Sequence, residues 1–181
     1  MNTVCFTFNI LHESHLPLLL KWLKAAHVKA WWDQEIRWTP QLIKEKFGSY
    51  VQGYKLEKGV RKPFQAYVIY SDTQPVGYIQ LYNAHDFPRD YPDGLEELPT
   101  SLAAIDVFIG EKDFLGKGLG PHILTQFLHE HVDPYYDACF VDPDTANVRA
   151  IGAYEKAGFI RINLIEEGRV TWMMRESKNE F

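Results

Sequence analysis

Cysteine is scarce in this chain of 181 residues: there are two, Cys5 and Cys139, each inside an apolar segment. Two isolated thiols cannot build a zinc site, and the seven histidines do not cluster with them at ligand spacing. His129 and His131 stand two apart on a predicted helix and so point to different sides. No metal is expected. Buried free thiols fit a reducing compartment. No apolar run is long enough to span a bilayer, and the N-terminus lacks a basic region followed by an apolar one. The expectation is a cytoplasmic protein with no membrane partner. Excess basic charge is lacking too. A net charge of −5 argues against nucleic acid as the main partner. It suits a cationic ligand, because a cleft lined by carboxylates attracts cations, although a mildly acidic surface also serves solubility. Internal repeats, low-complexity tracts and linkers are absent, so residues 1–181 are expected to form a single domain.

What the chain does hold is a sizeable core: hydrophobic residues make up 46% and aromatic residues 14%. Val4 to Asn9 reads as a strand. Ser14 is placed to cap a helix to about Ala26, with Leu16, Leu19, Leu20 and Leu23 on one face. Ala30 to Trp38 is a tryptophan-rich connector, and Thr39-Pro40 opens a second helix to about Tyr50. Phe64–Tyr70 and Val76–Asn83 pair as a hairpin. A long loop follows, rich in proline and in carboxylates (Asp86, Asp90, Asp93, Glu96, Glu97). Ser101 to Ile109 is an apolar strand interrupted by Asp106. After a glycine loop comes a helix to about Val132, with Ile123, Leu124, Phe127 and Leu128 inward. A short strand, Ala138–Val141, precedes a helix from Asp144 or Thr145 that stops at Gly158. Phe159–Ile165 and Arg169–Met174 close the chain as a hairpin. The order predicts an α/β fold (α+β in the wider sense), with a mixed, mostly antiparallel central sheet of about seven strands and helices on both faces.

The sharpest local motif is Leu115-Gly116-Lys117-Gly118-Leu119-Gly120, between the buried strand and a helix. Glycines let the backbone approach a ligand, and N–H groups at a helix start favour an anion, most naturally a phosphate. A nucleoside triphosphate loop needs Ser or Thr after Gly-Lys; Gly118 and Leu119 follow Lys117 here, so that reading fails. The dinucleotide fingerprint needs GxGxxG early in the chain, and here the spacing is GxGxG and late. The pyrophosphate loop of an acyl-CoA transferase fits position and spacing; a ligand-free glycine turn is the bland alternative.

Further on, Asn147, Ile151 and Tyr154 share a helix face through spacings of four and three. Asn147, Ala150, Tyr154, Lys156, Gly158 and Phe159 complete an Asn-x-x-Ala-x-x-x-Tyr-x-Lys-x-Gly-Phe pattern. With the glycine loop, this resembles the GNAT superfamily of N-acetyltransferases. The loop departs from the usual signature only at Leu115, where Gln or Arg is common. Within that superfamily the chain looks most like the aminoglycoside 6′-N-acetyltransferases. The likeness rests on Trp22-Leu23, Trp31-Trp32, Val76-Gly77-Tyr78-Ile79-Gln80, Ile105 to Gly110, the glycine loop and Asp142-Pro143. The related acyltransferases of siderophore synthesis tend to carry a histidine in the strand before the loop, where this chain has Asp106.

The resemblance implies acetyl-CoA as co-substrate, with its pyrophosphate on Leu115 to Gly120 and further contacts from Asn147, Ala150 and Tyr154. Pantetheine then lies between the strand at Ala104–Ile109 and the strand at Ala138–Val141, adding a strand to a splayed sheet, and the N–H groups of Val107, Phe108 and Ile109 are candidates to polarise the thioester. Asp106, a lone carboxylate in an apolar strand, is the candidate general base, directly or through water; its bland alternative is a solvent-facing carboxylate paired with a basic side chain. Tyr154 is the candidate proton donor to the leaving thiolate. Neither cysteine sits beside a base, so transfer is expected to be direct, in a ternary complex. Asp142 either holds the cationic acceptor or caps a helix. Trp32, Asp33, Tyr82 and the acidic loop complete the acceptor pocket, while His85 reads as a solvated histidine. The expected partner is a small cationic amine, for a monomer or homodimer. A siderophore precursor, a polyamine, a protein N-terminus or a non-catalytic acyl-CoA sensor are the alternatives.

Overall fold

The structure is a computed structural model describing residues 4–91 and 94–178. Asp93 of the acidic loop lies outside the described residues. The chain gathers into two compact units, one of residues up to Leu81 with Asp106–Lys117, the other of Tyr82–Ile105 with Gly118 onward.

In the first unit, β1 (Phe6–Ile10) pairs antiparallel with β3 (Val60–Ser71), Phe6 opposite Ser71 and Ile10 opposite Tyr67. Between them come three helices: α1 (Leu16–Lys24), α2 (Ala26–Lys29) and α3 (Pro40–Val51). The expected Ser14 cap is not formed. His12 caps a short 3-10 turn, Glu13–His15, by accepting the Ser14 N–H at 3.2 Å, and the Ser14 hydroxyl bonds to the same ring. Ala25 takes an extended ψ of 135° and separates α1 from α2. Thr39 does cap α3, accepting the Leu42 N–H at 3.2 Å, and Ile43, Phe47 and Tyr50 bury one helical face. An unexpected strand, β2 (Tyr54–Glu57), turns back onto β3 through Lys58 and Gly59, with φ of +47° and +78°. Positive φ at both residues matches the right-handed twist of a hairpin. β4 (Gln74–Asn83) follows.

β5 (Leu102–Ile109) runs through both units. In the second unit its start pairs parallel with β6 (Ala138–Val141), Leu102 opposite Ala138 and Ala104 opposite Phe140. β6 pairs antiparallel with β8 (Val170–Glu176), and β8 with β7 (Ile160–Ile165). α4 (Leu119–Phe127) ends in a π-turn, Leu128–Val132, and buries Ile123, Leu124, Phe127 and Leu128 as expected. α5 (Val148–Lys156) begins later than the sequence suggests. Asp144 forms a β-bridge with Val170, and the Thr145 and Thr171 hydroxyls bond at 2.8 Å. Those ties to β8 keep 144–146 out of the helix, and Asn147 becomes its cap. A buried ion pair, Arg175 to Asp133 at 2.6 Å, lies in this unit.

The strand order is β1-β3-β4-β5-β6-β8-β7, with β2 added to β3. This is the α/β fold with a mixed sheet that the sequence predicts, with eight strands in place of about seven. One burial expectation fails: Cys139 is buried, but Cys5 is exposed.

Candidate active site

Along β5 the residues Leu102–Ile105 are buried and Asp106–Ile109 half-buried, so the sole acid of the strand stands where enclosure gives way to an opening. The opening is a hollow of about 260 Å³ lined by Trp31, Trp32, Asp33, Lys46, Gln80 and Asp106. The first unit thus brings together three of the residues named from sequence: Trp32, Asp33 and Asp106. On β4, Tyr78 and Gln80 are two apart and share a face of the strand. The Gln80 side-chain amide donates to Asp106 Oδ2 at 2.9 Å, and the Tyr78 hydroxyl donates to Gln80 Oε1 at 2.8 Å. Trp32 sets its edge against Phe108 and Tyr78, with ring centroids 5.0 and 6.0 Å apart.

Charge in this hollow is mixed. Lys46 from α3 lies 2.6 Å from Asp33 Oδ2. Burial pushes the Tyr50 phenol well up, and the Asp33 and Asp106 carboxylates push it further. Lys55 on β2 is lowered, by burial first and by Lys46 next, against the pull of Asp106, Glu57 and Asp33. The arrangement sets a hydrogen-bonded carboxylate beside aromatic walls and a second carboxylate. It has the means to accept a proton and to hold a cation. Lys46, Gln80 and Trp31 were not assigned to a site from sequence. Gln80 did carry a weaker signal than Asp106, a polar side chain inside the apolar middle of β4, whose ends also hold Gln74 and Asn83. Lys46 carried none.

Val107, Phe108 and Ile109 continue β5. Phe108 commits its ring to the cluster with Trp22, Trp32 and Tyr78. The Ile109 carbonyl bonds to His27 Nε2 at 3.0 Å, and the Gly110 N–H donates to the Val76 carbonyl at 2.8 Å. These bonds anchor the end of the strand.

Tyr82 and Asp142 belong to a separate cluster in the second unit. Arg89, from the acidic loop, has Nη1 3.4 Å from the Tyr82 hydroxyl and Nε 3.5 Å from Asp142 Oδ2. Its guanidinium lies 5.0 Å from the centre of the Phe140 ring. The Tyr91 hydroxyl donates to Asp142 Oδ2 at 3.2 Å and accepts from Trp172 Nε1 at 2.9 Å. Burial pushes Tyr91 up to about 12, with the Trp172 bond opposing and Asp142 adding. Asp142 therefore caps no helix; it meets a cation and a phenol. His85 is exposed and bonds to the Pro99 carbonyl at 2.8 Å.

In the glycine loop, Gly116 and Gly118 hold φ of +71° and +69°, conformations that favour glycine, and Gly118 caps α4. A helix leaves its first N–H groups without partners inside the helix, which makes the Leu119–Gly120 start a place for an anion. Leu115 differs: its N–H donates to the Lys112 carbonyl at 3.1 Å. At α5, Asn147 Oδ1 accepts the Ala150 N–H at 3.2 Å, so these two residues form a cap together. Ile151 and Tyr154 share the buried face, Tyr154 at 7% exposure. The Tyr-x-Lys-x-Gly-Phe stretch has a clear local cause. Gly158, at φ +99°, donates to the Glu155 carbonyl, and Phe159 donates to the Tyr154 carbonyl, both at 3.0 Å. This paired termination turns Phe159 back against the Tyr154 ring, 5.4 Å away. Among the described residues, no group of His, Cys, Asp and Glu is arranged to hold a metal.

Comparison with known proteins agrees with this reading. Residues 12–166 match the acetyltransferase (GNAT) domain family. The chain is 31% identical, over 86% of its own length and 74% of the relative's, to an aminoglycoside N(6')-acetyltransferase type 1 from Klebsiella pneumoniae. Two solved structures of aminoglycoside acetyltransferase AAC(6')-Ib superpose closely. The complex with coenzyme A and kanamycin gives a TM-score of 0.78 at 27% identity, covering 95% of both chains. The complex with ribostamycin and coenzyme A gives 0.79 at 27% identity, covering 94% of this chain and 93% of that one. The match spans both sequence motifs and most of the chain, and the protein belongs to the GNAT acetyltransferase family.

Proposed function

We propose that this enzyme transfers the acetyl group of acetyl-CoA to a primary amine of an aminoglycoside, at the 6′ position, by direct attack in a ternary complex. The observation that carries the reading is the Asp106 carboxylate, hydrogen-bonded to Gln80 at the opening lined by Trp32 and Asp33. An ammonium must lose a proton before it can attack, and Asp106 is the group to take it, directly or through a water. The amine nitrogen then bonds to the thioester carbon while the N–H groups of Val107 and Ile109 polarise the carbonyl oxygen; that of Phe108 alternates toward β4. The carbon–sulfur bond breaks, the CoA thiolate takes the Tyr154 hydroxyl proton, and the second proton that the nitrogen sheds on becoming an amide is released to water, which reprotonates Tyr154. Pantetheine extends along β5, past the short parallel ladder of Leu102–Ala104 with β6. The pyrophosphate rests on the loop from Leu115 to Gly120. Asn147 and Ala150 then contribute mainly by fixing the start of α5.

Asp33 and the ring of Trp32, beside Asp106, hold the cationic acceptor. The match to aminoglycoside acetyltransferases over most of the chain supports that choice. The reading extends to a cytoplasmic enzyme, monomer or homodimer, in which residues 1–181 work as one N-acetyltransferase domain without metal, nucleic acid or membrane. No helix among the described residues is long and apolar enough to cross a membrane.

The test is release of CoA from acetyl-CoA, followed with a thiol reagent, across kanamycin, tobramycin, spermidine, N6-hydroxylysine and a short peptide. Selective turnover of the two aminoglycosides is expected. Selective turnover of another amine would keep the chemistry and change the acceptor, while binding of acetyl-CoA with no turnover would favour a sensor. Asp106→Asn is expected to lower turnover by about a hundredfold or more and to spare CoA binding.

A further inference from the structure

A polar chain runs from the aromatic core of the first unit into the hollow. The Tyr78 hydroxyl donates to Gln80 Oε1 at 2.8 Å, and Gln80 Nε2 donates to Asp106 Oδ2 at 2.9 Å. We propose that Tyr78 and Gln80 are positioning residues that orient the Asp106 carboxylate in the hollow, a role that rests on Asp106 being the base.

The argument concerns donors and acceptors. An ionised carboxylate only accepts hydrogen bonds. Gln80 must therefore turn its NH₂ toward Asp106, which leaves its carbonyl oxygen facing Tyr78 and in need of a donor. The phenol is that donor. A reversed amide would set oxygen against oxygen unless Asp106 carried a proton. The Tyr78 proton thus fixes the amide, and the amide fixes the carboxylate.

The anchor of the chain is rigid. Tyr78 is 0% exposed and Gln80 9%. The Tyr78 ring stacks on Phe108 at 5.4 Å and meets Phe47 and Trp32 edge-on at 5.8 and 6.0 Å. Burial pushes its phenol well above the ordinary value, so the hydroxyl keeps its proton over the working pH range. Other groups face Asp106 as well: Lys55 from β2, Tyr50 and Lys46 from α3, and Asp33 from the connector after α2. Lys46 is paired with Asp33, and Tyr50 stays neutral. All four are untouched by substitutions at positions 78 and 80, so a change in Asp106 in those variants reports the chain itself.

The experiment uses Tyr78→Phe and Gln80→Met in the full-length protein, with near-ultraviolet circular dichroism to check the fold. Both substitutions are also made in the Asp106→Asn background, and kcat and KM are measured with acetyl-CoA and kanamycin. With the donor to a charged group removed, Gln80→Met is expected to lower kcat by about tenfold and to leave KM for acetyl-CoA within about threefold. In Tyr78→Phe, where the amide can still donate, a fall of about threefold in kcat is expected. In the Asp106→Asn background neither substitution lowers kcat further, because the group they position is gone. If Gln80→Met does not fold, Tyr78→Phe, which removes one oxygen atom, carries the test. An unchanged kcat in a folded variant overturns the proposal, as does an equal further loss in the Asp106→Asn background. An unaltered rate in Asp106→Asn would instead remove the base itself.

Discussion

At the scale of single residues, the site asks for groups that pass protons without wandering. Tyr154 is 7% exposed on α5, its ring against Phe159. A phenol is a weaker acid than a thiol, so in the proposed mechanism Tyr154 serves the departing thiolate by a hydrogen bond as much as by a proton. Tyr154→Phe is therefore expected to lower kcat by about ten- to a hundredfold with little change in KM for acetyl-CoA, as steady-state rates would record. A loss confined to KM would recast Tyr154 as a binding residue. The place of Asp106 was legible as an acid among apolar neighbours, and that of Tyr154 through its motif, their catalytic roles resting on the proposal above. Lys46 was not, because its place in the hollow depends on where α3 packs, and nothing in the order of residues around it encodes that. Asp142 was half legible: the sequence offered an acceptor contact or a helix cap, and its meeting with Arg89 joins parts of the chain 53 residues apart in sequence.

Elements were easier to read than their ends. Nearly every strand and helix was foreseen, because long apolar runs and alternation survive small errors of position. β2 was missed. Its four residues are short and charged, and its turn uses Lys58 at positive φ, where a hairpin more often signals itself with Asn or Asp. The start of α5 was misplaced because the caps at Asp144 and Asn147 look alike in sequence, and only the ties of 144–146 to β8 choose between them. The other end of α5 was read correctly through Gly158. A Cβ there would sit 3.6 Å from the Arg175 side chain, an ordinary contact, so space is not the constraint. The φ of +99° is. Gly158→Ala is expected to lower unfolding free energy by about 1–2 kcal/mol, measured by urea denaturation, without removing the helix. A neutral effect would mean that the backbone relaxes out of the left-handed region.

For the molecule as a whole, acid should act in stages. His15 and His131 are lowered below their ordinary value of 6.5, each by burial first. Glu111 is lowered below 4.5, chiefly by hydrogen bonds from Lys21 and Trp22. In each case the unfolded chain binds the proton more readily, so the stabilisation is complete above the unfolded value and is lost as pH falls toward the folded one. Urea midpoints are expected to fall once pH drops below about 6.5 and to fall again below about 4.5. A His15→Gln, His131→Gln variant should flatten the upper stage alone. A midpoint that rose on acidification would contradict all three assignments. The two cysteines add a practical consequence. With Cys139 fully enclosed in β6 and Cys5 exposed, the native chain offers an aqueous reagent one sulfur, at a position that belongs to neither cluster of acceptor residues. A fluorophore or spin label can therefore be attached at a single defined point, and replacing Cys5 by serine leaves a background against which each thiol that appears is one catalytic event.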